Sequence, residues 1–211
     1  MRRADPLCGS SPWESPDPSI RLPSFSECLA LMEEFGMLPH IREHCFMVQA
    51  VAWELGQALT DAGLPLSLPL IVAGALLHDL GKTPCLATGE DHARFGADIL
   101  AARGYAEVAQ VVAQHVHLEE HPTTDRPLSE AAVVNYADKR VLHTRVVLLS
   151  ERFADLKRRY GRTPEHVARI SYYEERSRLL EARLFAPLTL RPDDLLSLNH
   201  RRMPWQSSGS P

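Results

Sequence analysis

Residues 73–82 read AGALLHDLGK, and the interpretation of the whole chain starts from this stretch. It closes an apolar run, Leu68 to Leu77, that is too short to cross a bilayer and therefore predicts a buried helix. The run ends directly in His78 and Asp79. A carboxylate beside an imidazole is costly to bury unless a cation or a hydrogen-bond network compensates it. The stretch therefore predicts a polar site inside an apolar core.

The composition is typical of a soluble domain. The chain has 211 residues, 45% hydrophobic and 24% charged, which is enough for one domain with a sizeable core. A formal net charge of -4 argues against broad attraction to nucleic-acid polymers or to anionic membranes. The four cysteines form no CxxC pair, so neither a zinc ribbon nor a disulfide framework is indicated. The N-terminus lacks the apolar segment of a signal peptide, and we expect a cytoplasmic protein.

The chain divides into three parts by composition. Residues 1–22 are rich in Pro, Ser and Asp, which predicts a disordered leader, and residues 199–211 predict a flexible tail. Residues 23–198 predict the folded domain. Within it the apolar residues recur at helical spacing, and no stretch alternates as a half-buried strand would. We therefore expect an all-α fold.

The helix boundaries are predicted from caps and breakers. Pro39 suits the first turn of a long helix, Gly63 ends that helix, and Gly81 is expected to close the apolar helix through a positive φ. The predicted helices cover residues 26–35, 40–62, 68–80, 91–103, 106–116, 128–150, 151–160 and 165–184.

Two further residues join the polar pair as candidate metal ligands. His44 lies in a long apolar helix, and Asp138 lies in the stretch VVNYADKRV at residues 133–141. Mixed imidazole and carboxylate donors suit a divalent transition metal such as Mn, Fe, Co, Ni or Zn. The alternative at this point is a core hydrogen-bond network without a metal.

The order of these motifs resembles the HD superfamily, and specifically its HDIG subgroup. Upstream of AGALLHDLGK stands EHCFMVQAVA at residues 43–52, and downstream stands NYADKRV, so the resemblance runs from about Arg42 to Arg145. Leu80 replaces the Ile of HDIG at a position that packs rather than ligates. The resemblance implies a helical bundle with a metal in its core. It also implies four protein ligands for one ion: His44, His78, Asp79 and Asp138.

His92 and His115 are candidates for a second ion. They stand where two-metal members of the superfamily carry extra histidines, and Asp79 would then bridge both ions. The alternatives are a local role for His92 at a helix start and a solvated position for His115. We expect His117 and His121 to lie in an exposed loop. The absence of a GYP motif leaves cyclic dinucleotide hydrolysis unassigned.

The resemblance implies a metal-dependent phosphohydrolase, either a phosphomonoesterase or a phosphodiesterase. Its expected substrate is a small phosphorylated metabolite, such as a nucleotide or a related phosphoester, attacked by metal-activated water. Asp79 and Lys82 are the candidate catalytic residues. Lys82, Lys139 and Arg140 are candidate phosphate contacts.

Two alternative functions remain at the sequence level. One is a dinucleoside polyphosphate hydrolase of the diadenosine tetraphosphate type. The other is a regulatory HD module that binds a nucleotide without turning it over. No nucleic-acid polymer and no membrane is expected as a partner, and the sequence predicts no oligomeric state.

Overall fold

The computed structural model describes residues 20–123 and 126–201. The predictions for the leader up to residue 19 and for the tail from residue 202 lie outside the described residues. The elements within them are α1 (Phe25–Glu34), α2 (Pro39–Asp61), α3 (Leu68–Leu77), α4 (Lys82–Thr88), α5 (His92–Ala102), α6 (Ala106–Ala113), α7 (Glu130–Lys139), β1 (Val141–Leu142), β2 (Arg145–Val146), α8 (Leu149–Tyr160), α9 (Pro164–Phe185) and a 3₁₀-helix (Pro192–His200). The all-α class is confirmed.

Helix α3 lies at the centre of the fold. It packs against α1, α2, α6 and α7, and every residue from Leu70 to Leu77 is buried. The stretch Leu68–Thr88 is long and apolar enough to span a membrane by composition, but 72% of its most apolar window is buried inside the protein. The apolar run is therefore a core helix, and it delivers His78 and Asp79 to the interior.

The helix starts follow ordinary capping chemistry. The Ser24 side chain accepts a hydrogen bond from the backbone N–H of Glu27. In return, the Glu27 carboxylate accepts a hydrogen bond from the backbone N–H of Ser24, which completes a capping box before α1. Pro39 occupies the first turn of α2 as predicted. Gly63 follows α2 at φ 90°, a conformation that favours glycine.

The prediction of one continuous helix over residues 128–150 is wrong. α7 ends at Lys139, and an antiparallel hairpin pairs Val141 with Val146 before α8 begins. The β-branched residues of this segment favour a strand over a helix. His143 makes the tight turn at φ 58°.

The C-terminal boundary also differs from the sequence prediction. A 3₁₀-helix runs through residue 198 to His200. Asn199 accepts from the backbone N–H of Val146 and donates to the carbonyl of Val146, each at 2.8 Å. The predicted tail, residues 199–211, therefore starts inside the 3₁₀-helix, which Asn199 joins to the hairpin.

Gly81 does not have the predicted positive φ. Its φ is -76°, and it is required instead for a close approach between two segments. A Cβ at Gly81 would lie 2.3 Å from the carbonyl oxygen of His92 and 2.8 Å from the backbone nitrogen of Gly96. The missing side chain lets the end of α3 pack directly on the backbone of α5, and so brings Asp79 close to His92.

Arg140 ties α7 to the C-terminal helices. Its side chain is fully buried, and its Nε donates to the carbonyl of Val147 at 2.7 Å. Its other nitrogens donate to the Pro192 carbonyl at 3.0 Å, to Glu181 at 3.3 Å and to the Tyr136 hydroxyl. All these partners are protein groups, so the guanidinium is a structural anchor.

We predict that Gly81→Ala destabilises the protein by about 2 kcal/mol or more, because the new methyl group meets rigid backbone. Thermal unfolding should show a Tm lower by at least about 5 °C. Gly56→Ala is the matched control, because its Cβ would meet only the flexible ends of Ile71 and Leu68, both at 3.0 Å. Equal Tm values for Gly81→Ala and the wild type would contradict the close approach.

We predict that Arg140→Met lowers the free energy of unfolding by about 3–5 kcal/mol, because it leaves the Glu181 carboxylate without its buried cation. Urea denaturation measures this loss. Arg145→Met removes an exposed arginine that pairs with Glu151 at 3.3 Å and should cost less than about 1 kcal/mol. Similar losses in the two variants would show that Arg140 is not an anchor.

Candidate metal centre

The Asp79 carboxylate lies at the centre of the site, and its side chain is only 2% exposed. One oxygen, Oδ2, lies 3.4 Å from His78 Nε2 and 2.7 Å from Lys82 Nζ. The other, Oδ1, lies 3.3 Å from His92 Nε2 and 3.6 Å from His115 Nε2. The two oxygens of one carboxylate thus face two different groups of histidines.

The first group contains the four ligands implied by the resemblance. Donor atoms of His44, His78 and Asp79 lie within 4.8 Å of one another. Asp138 Oδ1 adjoins them at 3.1 Å from His44 Nε2 and 3.8 Å from His78 Nε2. The residues come from α2, from the end of α3 and from α7, so three core helices meet at this point.

The second group contains Asp79, His92 and His115, whose donor atoms also lie within 4.8 Å of one another. His92 begins α5, and His115 follows the end of α6. Their Nε2 atoms are 3.1 Å apart. His115 is buried, whereas the His92 side chain is 28% exposed, which places His92 at the open side of the site.

Three of the histidines are oriented by the same device. In each ring Nδ1 lies 2.7–2.8 Å from a backbone carbonyl oxygen. A carbonyl only accepts, so Nδ1 carries the proton of the neutral ring and Nε2 presents a lone pair to the site. The pairs are His44 with His143, His78 with Ala75, and His115 with Val112.

These donors fit a divalent metal ion. Nε2 of His78 is buried and has no hydrogen-bond partner among the described residues. Histidines held at Nδ1 by a carbonyl, with Nε2 free, have the arrangement usual for metal-binding imidazoles. Imidazole nitrogens combined with carboxylate oxygens suit transition ions of borderline hardness.

Both site carboxylates are held in the ionised form that a metal ligand needs. Burial alone would raise the pKa of Asp79, but the imidazoles of His78, His115 and His92 beside its two oxygens hold it well below its usual range. Burial is likewise outweighed at Asp138, whose pKa is held well down by the Lys139 charge and by the adjacent His44 ring.

Burial and neighbouring groups also shift the pKa values of two imidazoles in the site. Burial lowers the pKa of His115 and favours the neutral ring that binds metals. At His78 burial opposes the charged ring, but the Cys45 sulfur and the Asp79 carboxylate raise its pKa well above the usual value. The pocket therefore stabilises positive charge beside His78 Nε2, where a cation would compete with a proton.

The lysines and the arginine predicted to contact phosphate have different positions. Lys82 lies at the mouth, with its side chain 42% exposed, and its pKa is raised by Asp79 against the effect of burial. Lys139 is 12% exposed and donates to the His115 carbonyl at 2.6 Å. The prediction for Arg140 is wrong, because that guanidinium is fully buried and bonded to protein groups.

Two further histidines lie outside both ligand groups. His121 is exposed and bonds Thr123 Oγ1 at 2.8 Å through Nδ1. His117 is also exposed, and its ring lies beside Tyr173 with ring centroids 5.0 Å apart. Among the described residues, neither belongs to a group of donors that can hold a metal.

Sequence reasoning missed two positioning residues. Asn135 donates to the carbonyls of Gln114 and His115 at 2.9 and 3.0 Å and so holds the segment that carries His115. A buried polar residue one turn before Asp138 was the signal for it. His143 acts through its backbone carbonyl, which carries no sequence signal.

The chain is similar in sequence to several known proteins. An uncharacterized protein of Methanocaldococcus jannaschii is 25% identical over 158 residues, 69% of this chain and 92% of that protein. A tRNA (cytidine(56)-2'-O)-methyltransferase of Thermoplasma volcanium is 33% identical over 45% of this chain, which spans 26% of that protein. Ribonuclease Y 2 of Bdellovibrio bacteriovorus is 37% identical over 36% of this chain and 14% of that protein. No solved structure matched.

The family comparison identifies the part of the chain that carries the site. A model described as HD domain matches residues 41–141, a range that contains all six residues of the two ligand groups. HD domains bind divalent metals and are typically metal-dependent hydrolases. Residues 41–141 of this chain are a domain of the HD superfamily.

Proposed function

We propose that the chain is a metal-dependent phosphohydrolase that acts in the cytoplasm on a small phosphorylated metabolite, a nucleotide or a related phosphoester. One observation carries the proposal: the two oxygens of Asp79 face two separate histidine groups, at 3.4 Å on one side and at 3.3 and 3.6 Å on the other. Two adjoining cation sites that share a carboxylate suit the displacement of one phosphoryl oxygen by another.

Each residue has a distinct role in this proposal. His44, His78 and Asp138 would hold one cation, His92 and His115 would hold the other, and Asp79 would bind both. When bound, the cations supply a water of lowered pKa and neutralise charge that develops on the phosphoryl oxygens.

Lys82 is the residue placed to meet the substrate phosphate. Its ammonium group lies 2.7 Å from Asp79 Oδ2 and is partly exposed, so a phosphate oxygen can share it. The same contact holds the Asp79 carboxylate in one orientation between the two histidine groups. In this proposal Asp79 helps to position the phosphoryl group that is attacked, and Lys82 compensates the negative charge of the substrate phosphate.

The regulatory alternative is less well supported by the site. A module that only binds a nucleotide does not need a complete ligand set, yet all six donor residues converge here. The activities in the names of the methyltransferase and the ribonuclease belong to proteins of which this chain spans 26% and 14%, and we do not extend them to it. The net charge of -4 also favours a small substrate over an RNA chain.

We predict about two transition-metal ions per chain in protein purified without a chelator, measured by elemental analysis. His92→Ala should retain about one ion, and His78→Ala should lose most of the metal, because its buried Nε2 is lost. His121→Ala is the matched control, since that ring is exposed and bonded to Thr123, and its metal content should equal the wild-type content. A wild-type protein without transition metal would contradict the assignment.

We predict that the metal-loaded protein hydrolyses p-nitrophenyl phosphate or bis(p-nitrophenyl) phosphate. Asp79→Asn should lower kcat/KM by at least about a thousandfold, which corresponds to about 4 kcal/mol of transition-state stabilisation. His121→Ala again serves as the control.

The next step extends the assay to a panel of nucleotides and a short oligoribonucleotide. Failure of the wild type to cleave any member of the panel or either nitrophenyl ester would overturn the enzyme proposal. Preferred cleavage of the oligoribonucleotide would overturn the choice of a small substrate.

A further inference from the structure

The chain segment that begins at His115 has no regular secondary structure in its described part. It follows α6, and residues 116–122 make no backbone-to-backbone hydrogen bond among the described residues. The conformation of such a segment depends on the side chains that bond its peptide groups. The position of His115, a donor of the second histidine group, therefore depends on the residues that hold this segment.

Helix α7 holds the segment where it begins. Asn135 donates to the carbonyls of Gln114 and His115 at 2.9 and 3.0 Å, and Lys139 donates to the His115 carbonyl at 2.6 Å. These bonds meet at one end of the segment. They fix its start, but not the direction in which the chain leaves His115.

Helix α9 holds the residues that follow. Nη2 of Arg176 donates to the carbonyl of Leu118 at 3.2 Å and to the carbonyl of Glu120 at 3.0 Å. The Arg183 guanidinium lies 3.5 Å from the Glu120 carboxylate, and both side chains are mostly buried. Because these contacts lie beyond His115 along the chain, they supply the second anchor that sets the direction of the segment.

A narrow cleft separates the segment from α7 and α9. Tyr173 and Arg176 line it from α9, and Leu118 lines it from the segment. Lys139 lines the same cleft from α7, and its Nζ is 3.5 Å from Asp138 Oδ2. Helix α9 therefore packs beside residues that border the metal centre, although it contributes none of the six donor residues and lies outside residues 41–141.

We propose that Arg176 is a positioning residue for the second cation site. By holding the carbonyls of Leu118 and Glu120, it keeps the segment in the conformation that places His115 Nε2 3.6 Å from Asp79 Oδ1. The donors of the first group come from α2, the end of α3 and α7, none of which belongs to this segment. The inference rests on the proposed function and makes the second ion, but not the first, depend on α9.

The test measures the binding of Co²⁺ alone to full-length protein stripped of metal with a chelator. The visible absorption of bound Co²⁺ reports the number of ions and their affinities. Arg176→Met keeps the apolar stem and removes the donors, whereas Arg176→Lys keeps a donor and the charge. Arg178→Met is the matched control, because Arg178 is exposed and pairs with Glu174 at 2.7 Å. Thermal unfolding of the metal-free variants checks that they are folded.

The wild type should bind about two Co²⁺ ions per chain. Arg176→Met should bind the first ion as the wild type does and the second at least about tenfold more weakly, because groups that orient a metal ligand typically contribute that much to affinity. Arg176→Lys should be intermediate, and Arg178→Met should match the wild type. If Arg176→Met does not fold, Arg176→Lys decides by the same comparison. Wild-type affinity for both ions, or equal weakening of both, would overturn the assignment.

A second readout needs no metal. The protease Glu-C cleaves after glutamate, and Glu119 and Glu120 lie in the segment. Metal-free Arg176→Met should be cleaved there faster than the wild type and Arg178→Met, because its segment is no longer bonded to α9. Equal cleavage rates would show that Arg176 does not hold the segment.

The two readouts separate this inference from the proposed function. If the wild type binds no Co²⁺, the proposed function fails, and the cleavage rates still decide whether Arg176 holds the segment. If the wild type binds Co²⁺ and hydrolyses the nitrophenyl esters while Arg176→Met equals it in the affinity for both ions, this inference fails and the proposed function stands.

Discussion

The burial of the Asp79 carboxylate is the constraint on which the rest of the structure depends. An ionised carboxylate that is 2% exposed costs several kcal/mol unless cations or donors surround it. The fold supplies them from four directions: His78 beside it, Lys82 one turn later, His92 from α5 and His115 from the end of α6. Each of these elements must approach the end of α3 closely, so their packing and the compensation of the Asp79 charge depend on each other.

Backbone groups carry much of this arrangement. Gly81 removes the side chain that would separate α3 from α5, so the carbonyl of His92 can lie against it. Carbonyls of the hairpin and of two helix ends fix the rings of His44, His78 and His115 with Nε2 inward. Three elements of the fold thus fix the direction in which these rings present Nε2, as an organised metal site requires.

The sequence predicted most of what periodicity and local chemistry determine. The apolar run of α3 and the proline start of α2 followed from spacing and caps, whereas the six histidine and aspartate residues of the site were implied by the resemblance to the HD superfamily. The short hairpin after Lys139 and the 3₁₀-helix over Pro192–His200 depend on pairing between distant segments, such as Asn199 with Val146. The role of Gly81 was also hidden, because a glycine before a break is compatible with either a positive φ or a close approach.

Arg140 and Lys82 show why charge next to a motif is weak evidence for substrate binding. Arg140 stands two residues after Asp138 within the motif, yet helical geometry turns it away from Asp138 and towards Tyr136, one turn earlier, and Glu181 on α9. Lys82 differs, because its ammonium group bonds Asp79 but is still 42% exposed at the mouth of the site. A cation whose hydrogen bonds all go to buried protein groups stabilises the fold, whereas a partly exposed one can still meet an anion. The bonds and exposure of each cation, rather than its distance from the motif along the sequence, therefore separate an anchor from a candidate binding residue.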